Sequence, residues 1–195
     1  MILRDEVFNC LINELNKIKY CILRNYSSLP EFGNDIDILV DYGTTEVLIN
    51  RLNVELAILD VIFLYKVDFS CTSLYYYDLI CENFIHIDLF ESNRWHIWEY
   101  INAKKVLESR KKYKSFYIPS AQYEMFELLL TRLLYQNKIK EKYKDRILEI
   151  FNNSFFENKT YLEEMVLKNI AEGFEKIEKK VYKIKLMIIA KNLVN

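Results

Sequence analysis

Three aspartates are the residues of this sequence whose types and spacing point to chemistry. Asp35 and Asp37 stand one residue apart at the head of the apolar run Ile36-Asp37-Ile38-Leu39-Val40, and Asp88 lies inside a second run, His86-Ile87-Asp88-Leu89-Phe90. On an extended strand side chains alternate, so Asp35 and Asp37 project to one face while Ile36 and Ile38 project to the other. A lone D-x-D pair is more often a turn-and-cap feature than a metal site. A further carboxylate within an apolar run changes that reading, because an unpaired charge there would be expensive. If the strand carrying Asp88 lies beside the first, three carboxylates meet on one patch and repel one another unless a cation sits among them. An all-oxygen donor set favours Mg²⁺ or Mn²⁺ over zinc.

The elements that must position these residues follow from periodicity. Apolar side chains at 7, 8, 11, 12 and 15 predict a helix over 4–17. Tyr20-Cys21-Ile22-Leu23 predicts a short buried strand, and Arg24 to Gly33 a loop. The strand of Asp35 and Asp37 ends at Gly43, and Thr44 or Thr45 can cap a helix reaching about Asn53. Residues 58–69 and 71–80 read as two strands, with Leu56 to Leu64 taken as buried, and Phe84 to Phe90 as a third. Lys104 to Lys114 reads as a basic connector, followed by an extended piece at 116–119. Helices are expected over roughly 121–136, 139–152, 158–171 and 173–193. The expected class is α+β: a small mixed sheet with helices over residues 1–100, and a C-terminal helical bundle over 101–195.

Composition narrows the function classes. The chain has 195 residues, of which 51% are hydrophobic, with 3 Gly and 2 Pro, so collagen-like and low-complexity chains are excluded. Cys10, Cys21, Cys71 and Cys81 form no C-x-x-C pair, which argues against zinc and for reduced, mostly buried thiols. No apolar run is long enough to cross a bilayer, and no signal peptide opens the chain, so a cytoplasmic protein without membrane insertion is expected. The net charge of −1 hides an asymmetry: residues 1–100 hold 7 Lys+Arg against 16 Asp+Glu, and residues 101–195 hold 20 against 12. The near-zero total, with no aromatic-basic stacking motif, argues against nucleic acid as a partner. His86 lies two residues from Asp88 on the same strand face. It reads as a hydrogen-bonded structural histidine, the alternative being a general base or a support for the carboxylates.

The order of motifs resembles a known family. Asp35-x-Asp37 with a downstream strand aspartate is similar to the DNA polymerase β-like nucleotidyltransferase superfamily. Ile22-Leu23-Arg24-Asn25-Tyr26, Leu29-Pro30 and Asn34-Asp35-Ile36-Asp37 resemble a bacterial "LRNY…DIDLLV" group often encoded near surface-polysaccharide genes. Trp95, Tyr117-Ile118-Pro119-Ser120, Leu128-Leu129-Leu130 and Lys140-Glu141-Lys142-Tyr143 extend the resemblance over about residues 20–147. It implies a polymerase β-like nucleotidyltransferase fold and transfer of a nucleoside monophosphate from an NTP to an unknown acceptor, a sugar or polysaccharide precursor among the candidates. It also implies two-metal catalysis, with Asp35, Asp37 and Asp88 as metal-binding and catalytic residues for Mg²⁺ or Mn²⁺ and Arg24, Asn25 and Asn34 toward the nucleotide. The family usually carries a Gly-Ser pair where this chain has Arg24-Asn25. That departure keeps open a non-catalytic or antitoxin-type module with a protein partner. A metal-dependent glycosyltransferase fits less well, since only 34 residues precede Asp35.

Overall fold

The computed structural model describes residues 1–33, 35–95, 97–131, 134–135, 141–153, 168 and 170. Five strands build one mixed sheet: β1 (Tyr20–Ile22), β2 (Ile36–Val40), β3 (Val61–Asp68), β4 (Thr72–Asp78) and β5 (Asn83–Phe90), in the order β1-β2-β5-β4-β3. β2 and β5 run parallel, and the other neighbours are antiparallel. The chain is thus of the α+β class, with a mixed sheet.

Two helices cover one face of this sheet. α1 (Asp5–Leu15) buries Val7, Leu11, Ile12 and Leu15, and its first turn carries Asp5 and Glu6, where the helix dipole favours negative charge. α2 (Thr45–Ile58) buries Leu48, Ile49, Leu52 and Leu56. Both stripes pack in one core with Ile36, Ile38, Val40, Leu74, Tyr76, Ile85, Ile87 and Leu89 of the sheet. Alternation therefore assigns the faces: Ile36, Ile38 and Val40 of β2 and Ile85, Ile87 and Leu89 of β5 toward the helices, Asp37 and Asp88 away from them.

The expected buried strand over Leu56 to Leu64 is corrected. Leu48, Ile49, Leu52 and Leu56 continue a helical stripe, so α2 runs to Ile58, and Asp60 turns the chain with φ 57° before β3 begins. β3 is an edge strand, and beyond Val61 it is exposed. The basic connector is also corrected. Residues 103–118 form α3 (Ala103–Ser109) and a hairpin of β6 (Lys111–Tyr113) and β7 (Phe116–Ile118). Apolar side chains set among the lysines make this possible: Phe116 is fully buried, meets Phe8 edge-on at 6.0 Å between ring centroids, and joins the main core. The Arg110 guanidinium lies over the Tyr117 ring at 4.6 Å.

Met1–Ser92 and Ala103–Ser120 make one compact unit. The second takes Asn93–Asn102 and the described residues from Ala121 onward. It contains a hairpin, β8 (Asn93–Trp95) with β9 (Trp98–Ile101), then α4 (Ala121–Phe126), which widens into π-helical turns over Glu127–Thr131, and α5 (Glu141–Asn153). Met125, Leu128 and Leu129 pack with Tyr143 and Ile150 of α5, and Arg146 forks onto both oxygens of Glu124 at 2.8 and 2.9 Å. The helices expected over 158–171 and 173–193 lie outside the described residues, apart from positions 168 and 170. Among the cysteines Cys21 is buried, Cys10 and Cys71 are half-buried, and Cys81 is exposed, so burial is less complete than expected. No helix among the described residues is long and apolar enough to cross a membrane.

Candidate active site

The parallel pairing of β2 with β5 sets Asp37 directly beside Asp88, with Ile36 beside Ile87 and Ile38 beside Leu89. Asp35 lies just before β2 on the face that Asp37 uses. Asp35, Asp37 and Asp88 each offer a carboxylate oxygen within 4.8 Å of the others. Ligands on opposite sides of one Mg²⁺ stand about 4.2 Å apart, twice its usual bond length. Only one pair can take that spacing, and adjacent ligands stand about 3 Å apart, so the three oxygens would draw together to share an ion. Asp37 is fully buried and Asp88 nearly so, a setting in which like charges need a cation.

Each carboxylate is held by its surroundings. The backbone N–H of Leu23 donates to the Asp37 carbonyl at 2.9 Å, extending the β1–β2 pairing by one residue. That places Arg24 at Asp37, and its guanidinium donates to Asp37 Oδ1. Asn25, the next residue, takes a left-handed φ of 57° that asparagine tolerates, and its carbonyl accepts the Ser28 hydroxyl at 3.0 Å. Asn34 lies outside the described residues, as does His96.

Asp88 is fixed through one oxygen. Its Oδ1 accepts the Ser73 hydroxyl from the facing position of β4 and lies 2.9 Å from His86 Nε2. His86 stacks on Tyr75 at 4.3 Å and 17°, and Tyr75 stacks on Tyr65 at 4.5 Å and 20°. Three rings on three neighbouring strands thus brace the histidine. Ser73 and the two tyrosines are site residues that sequence reading misses. The only signal for Ser73 and Tyr75 is alternation along β4, where they share with Tyr77 the face opposite Leu74 and Tyr76. Cys71 Sγ lies 3.6 Å from Ser73 Oγ, and burial pushes its thiol up to about 11. Burial thus favours the neutral thiol at physiological pH.

Beside these strand ends lies a cleft of about 410 Å³ bordered by Thr45, Asp68, Ser70, Cys71 and Glu91. Glu91 Oε1 accepts the Thr45 hydroxyl at 2.6 Å and the Gly43 amide at 3.1 Å, tying the end of β5 to the start of α2.

No protein-family model matches the chain, and no curated protein matches its sequence. Solved structures do. The chain is similar to JHP933 from Helicobacter pylori, with a TM-score of 0.51 at 8% identity over 97% of this chain and 91% of that one. It is also similar to the antibiotic-resistance factor ANT(2'')-Ia, an aminoglycoside nucleotidyltransferase, with a TM-score of 0.50 at 7% identity over 85% and 90%. At such identities the likeness concerns the fold alone.

Proposed function

We propose that this protein is a divalent-metal-dependent nucleotidyltransferase. The observation that carries the reading is the convergence of Asp35, Asp37 and Asp88 within 4.8 Å on the sheet of a nucleotidyltransferase-like fold. In the reaction an acceptor oxygen or nitrogen bonds to the α-phosphorus of an NTP as the bond from that phosphorus to pyrophosphate breaks. Such transfer needs charge neutralisation and in-line positioning more than covalent chemistry from the protein. A bound Mg²⁺ or Mn²⁺ supplies that neutralisation and makes the acceptor easier to deprotonate.

The chain's own groups have separate roles. Asp35 and Asp37 would hold the ion that accompanies the triphosphate. Asp88, anchored through Oδ1, keeps its other oxygen for a shared ion and helps take the acceptor proton. Arg24 and Asn25 would face the nucleotide in place of the Gly-Ser pair, while Asn34, expected there too, lies outside the described residues; the association of the "LRNY…DIDLLV" group with polysaccharide genes suggests a sugar-like acceptor. The ion pair of Arg24 with Asp37 favours a second reading, a non-catalytic or antitoxin-type module in which this cation has replaced the metal.

Calorimetry separates the two. The wild type is expected to bind NTPs with Mg²⁺, and the Asp35→Ala/Asp37→Ala double variant to lose that binding. Incubation with α-labelled NTPs and a fractionated lysate should then label an acceptor. A wild type that binds no triphosphate, or a double variant of unchanged affinity, would sink the enzyme reading.

A further inference from the structure

We propose that β3 is the contact by which two copies of this chain associate, pairing antiparallel about Val67. The inference is independent of the nucleotidyl-transfer reading. β3 stands at one end of the strand order and pairs with β4 alone among the described strands. It carries no proline, and apolar side chains along it face water: Tyr65 is 52% exposed, Val67 46%, and Phe69, just past its end, 97%. An edge of this kind is a template for another strand. Its outward backbone groups can be assigned. The Phe69 N–H donates to the Cys71 carbonyl at 3.0 Å, and the same register sets Val67 beside Ser73 and Tyr65 beside Tyr75. Backbone groups alternate sides along a strand, so those of Tyr65, Val67 and Phe69 serve β4, while those of Lys66 and Asp68 point away from the sheet. The bulge between Phe63 and Tyr65 breaks this alternation upstream and confines the straight edge to the residues that follow it.

Charge selects both the occupant and the register. Centred on Val67, Lys66 lies opposite Asp68 of the second copy and Asp68 opposite its Lys66, and each such pair exchanges both N–H···O bonds. The neighbouring registers that also match outward groups are centred on Lys66 or on Asp68. They set Lys66 against Lys66 or Asp68 against Asp68, and like charges directly opposite are destabilising. Lys66 Nζ already stands 3.3 Å from Asp68 Oδ2 in its own strand, so the paired strands would carry a checkerboard of alternating charge. On the other face Val67 meets Val67 across the two-fold axis, and Tyr65 meets Phe69, which covers the exposed ring. These are the closely spaced pairs, in which side chains contact best. Exposed ion pairs are weak, so the charges fix the register while the backbone bonds and the apolar row supply affinity. A strand from an unrelated protein would lack this match of the sequence to itself. Asp68 and Phe69 also border the cleft next to Cys71 and Glu91, so pairing would bring Tyr65 of the second copy toward its rim.

Sedimentation equilibrium of the full chain tests the contact. The wild type is expected to pass from the mass of one chain toward that of two between about 10 μM and about 1 mM, the weak range that suits a small interface. Lys66→Asp and Asp68→Lys each turn the facing pairs into like charges, and each should weaken association by about tenfold or more. Mixed in equal amounts, the two variants face opposite charges again and should associate within about threefold of the wild type. Mixing would not repair a folding defect, so this recovery belongs to the register alone. Hydrogen exchange gives a second readout. The amides of Lys66 and Asp68 should gain protection as the protein is concentrated, while those of Tyr65 and Val67, bonded to β4, stay protected throughout. A wild type that remains monomeric to about 1 mM, single variants that associate as the wild type does, or a mixture no stronger than its components would overturn the proposal. Lys66 and Asp68 amides protected in a monomer would assign the edge to a different strand, and overturn it equally.

Discussion

Ser73→Ala tests whether the site is positioned or merely present. The hydroxyl donates to Asp88 Oδ1, the oxygen that also faces His86 Nε2 at 2.9 Å. Two partners on one oxygen hold the carboxylate plane and leave the second oxygen for an ion. A hydrogen bond to a charged group contributes about 1.5–3 kcal/mol. The Asp88 side chain is 13% exposed and keeps His86 in the variant, so the loss belongs at the lower end of that range. About 1.4 kcal/mol corresponds to a factor of ten in affinity, which agrees with the tenfold or greater effects typical of outer-shell partners of metal ligands.

The assay is Mn²⁺ titration of wild type, Ser73→Ala, His86→Ala and the double variant. Each single change is expected to weaken Mn²⁺ binding by about tenfold. Because the two residues share one acceptor, the double variant should depart from additivity. Thermal unfolding without metal serves as the control, and should move by only a few degrees. Mn²⁺ affinity within twofold of wild type in Ser73→Ala, alongside lost affinity in Asp88→Asn, would refute the claim that the hydroxyl orients the ligand.

Two further predictions concern the scaffold. Burial alone would push the Asp78 carboxyl up, but Arg4 Nε at 2.9 Å and the amides of Ile80 and Cys81 outweigh it and hold it below the usual carboxylate range. A depressed native pKa gives stability that is present above the unfolded value, about 3.9, and is lost as pH falls through the lower native value. Urea unfolding should therefore show Asp78→Asn less stable at pH 7 by about 3 kcal/mol, with the gap narrowing below about pH 4. A gap that is constant with pH would exclude the ion pair as its source. Glu91→Ala removes the carboxylate that accepts from Thr45 and Gly43 at the start of α2. It should cost about 1–2 kcal/mol by the same assay, as loss of a helix N-cap does, and Glu91→Gln should recover most of it. Equal losses in both variants would show that the cap contributes nothing.

What the sequence reveals and what it hides divide along physical lines. The faces of β2 and β5 are legible because alternation is local: Ile36, Ile38, Ile87 and Leu89 pack toward the helices, and Asp37 and Asp88 fall opposite. Ser73 stays hidden because its pairing with Asp88 depends on the register of β4 and β5, set by the turn at Leu79–Glu82, where Glu82 has φ 48°. The end of α2 is misread because Leu56 and Ile58 suit a strand as well as a helix. The α2 stripe that reaches Leu56 decides in favour of the helix. The hairpin after α3 is missed because lysines dominate its composition, while a few buried side chains such as Phe116 determine where it packs.

The parallel pairing of β2 and β5 is the decisive non-local event, and its consequence reaches beyond the aspartates. β5 is not the next strand after β2 in sequence, so the chain must pass through α2, β3 and β4 before Asp88 can meet Asp37. Once they meet in register, their repulsion falls on a sheet whose other face is already packed against α1 and α2. Slipping the register by one residue would relieve the charges only by driving them into that core and exposing Ile87 and Leu89. The core thus compels the carboxylates together, and a cation must compensate the result. Arg24, delivered by the one-residue extension of β1 against β2, meets that need before any metal binds. The folded chain can therefore carry a destabilising acidic cluster without a bound metal.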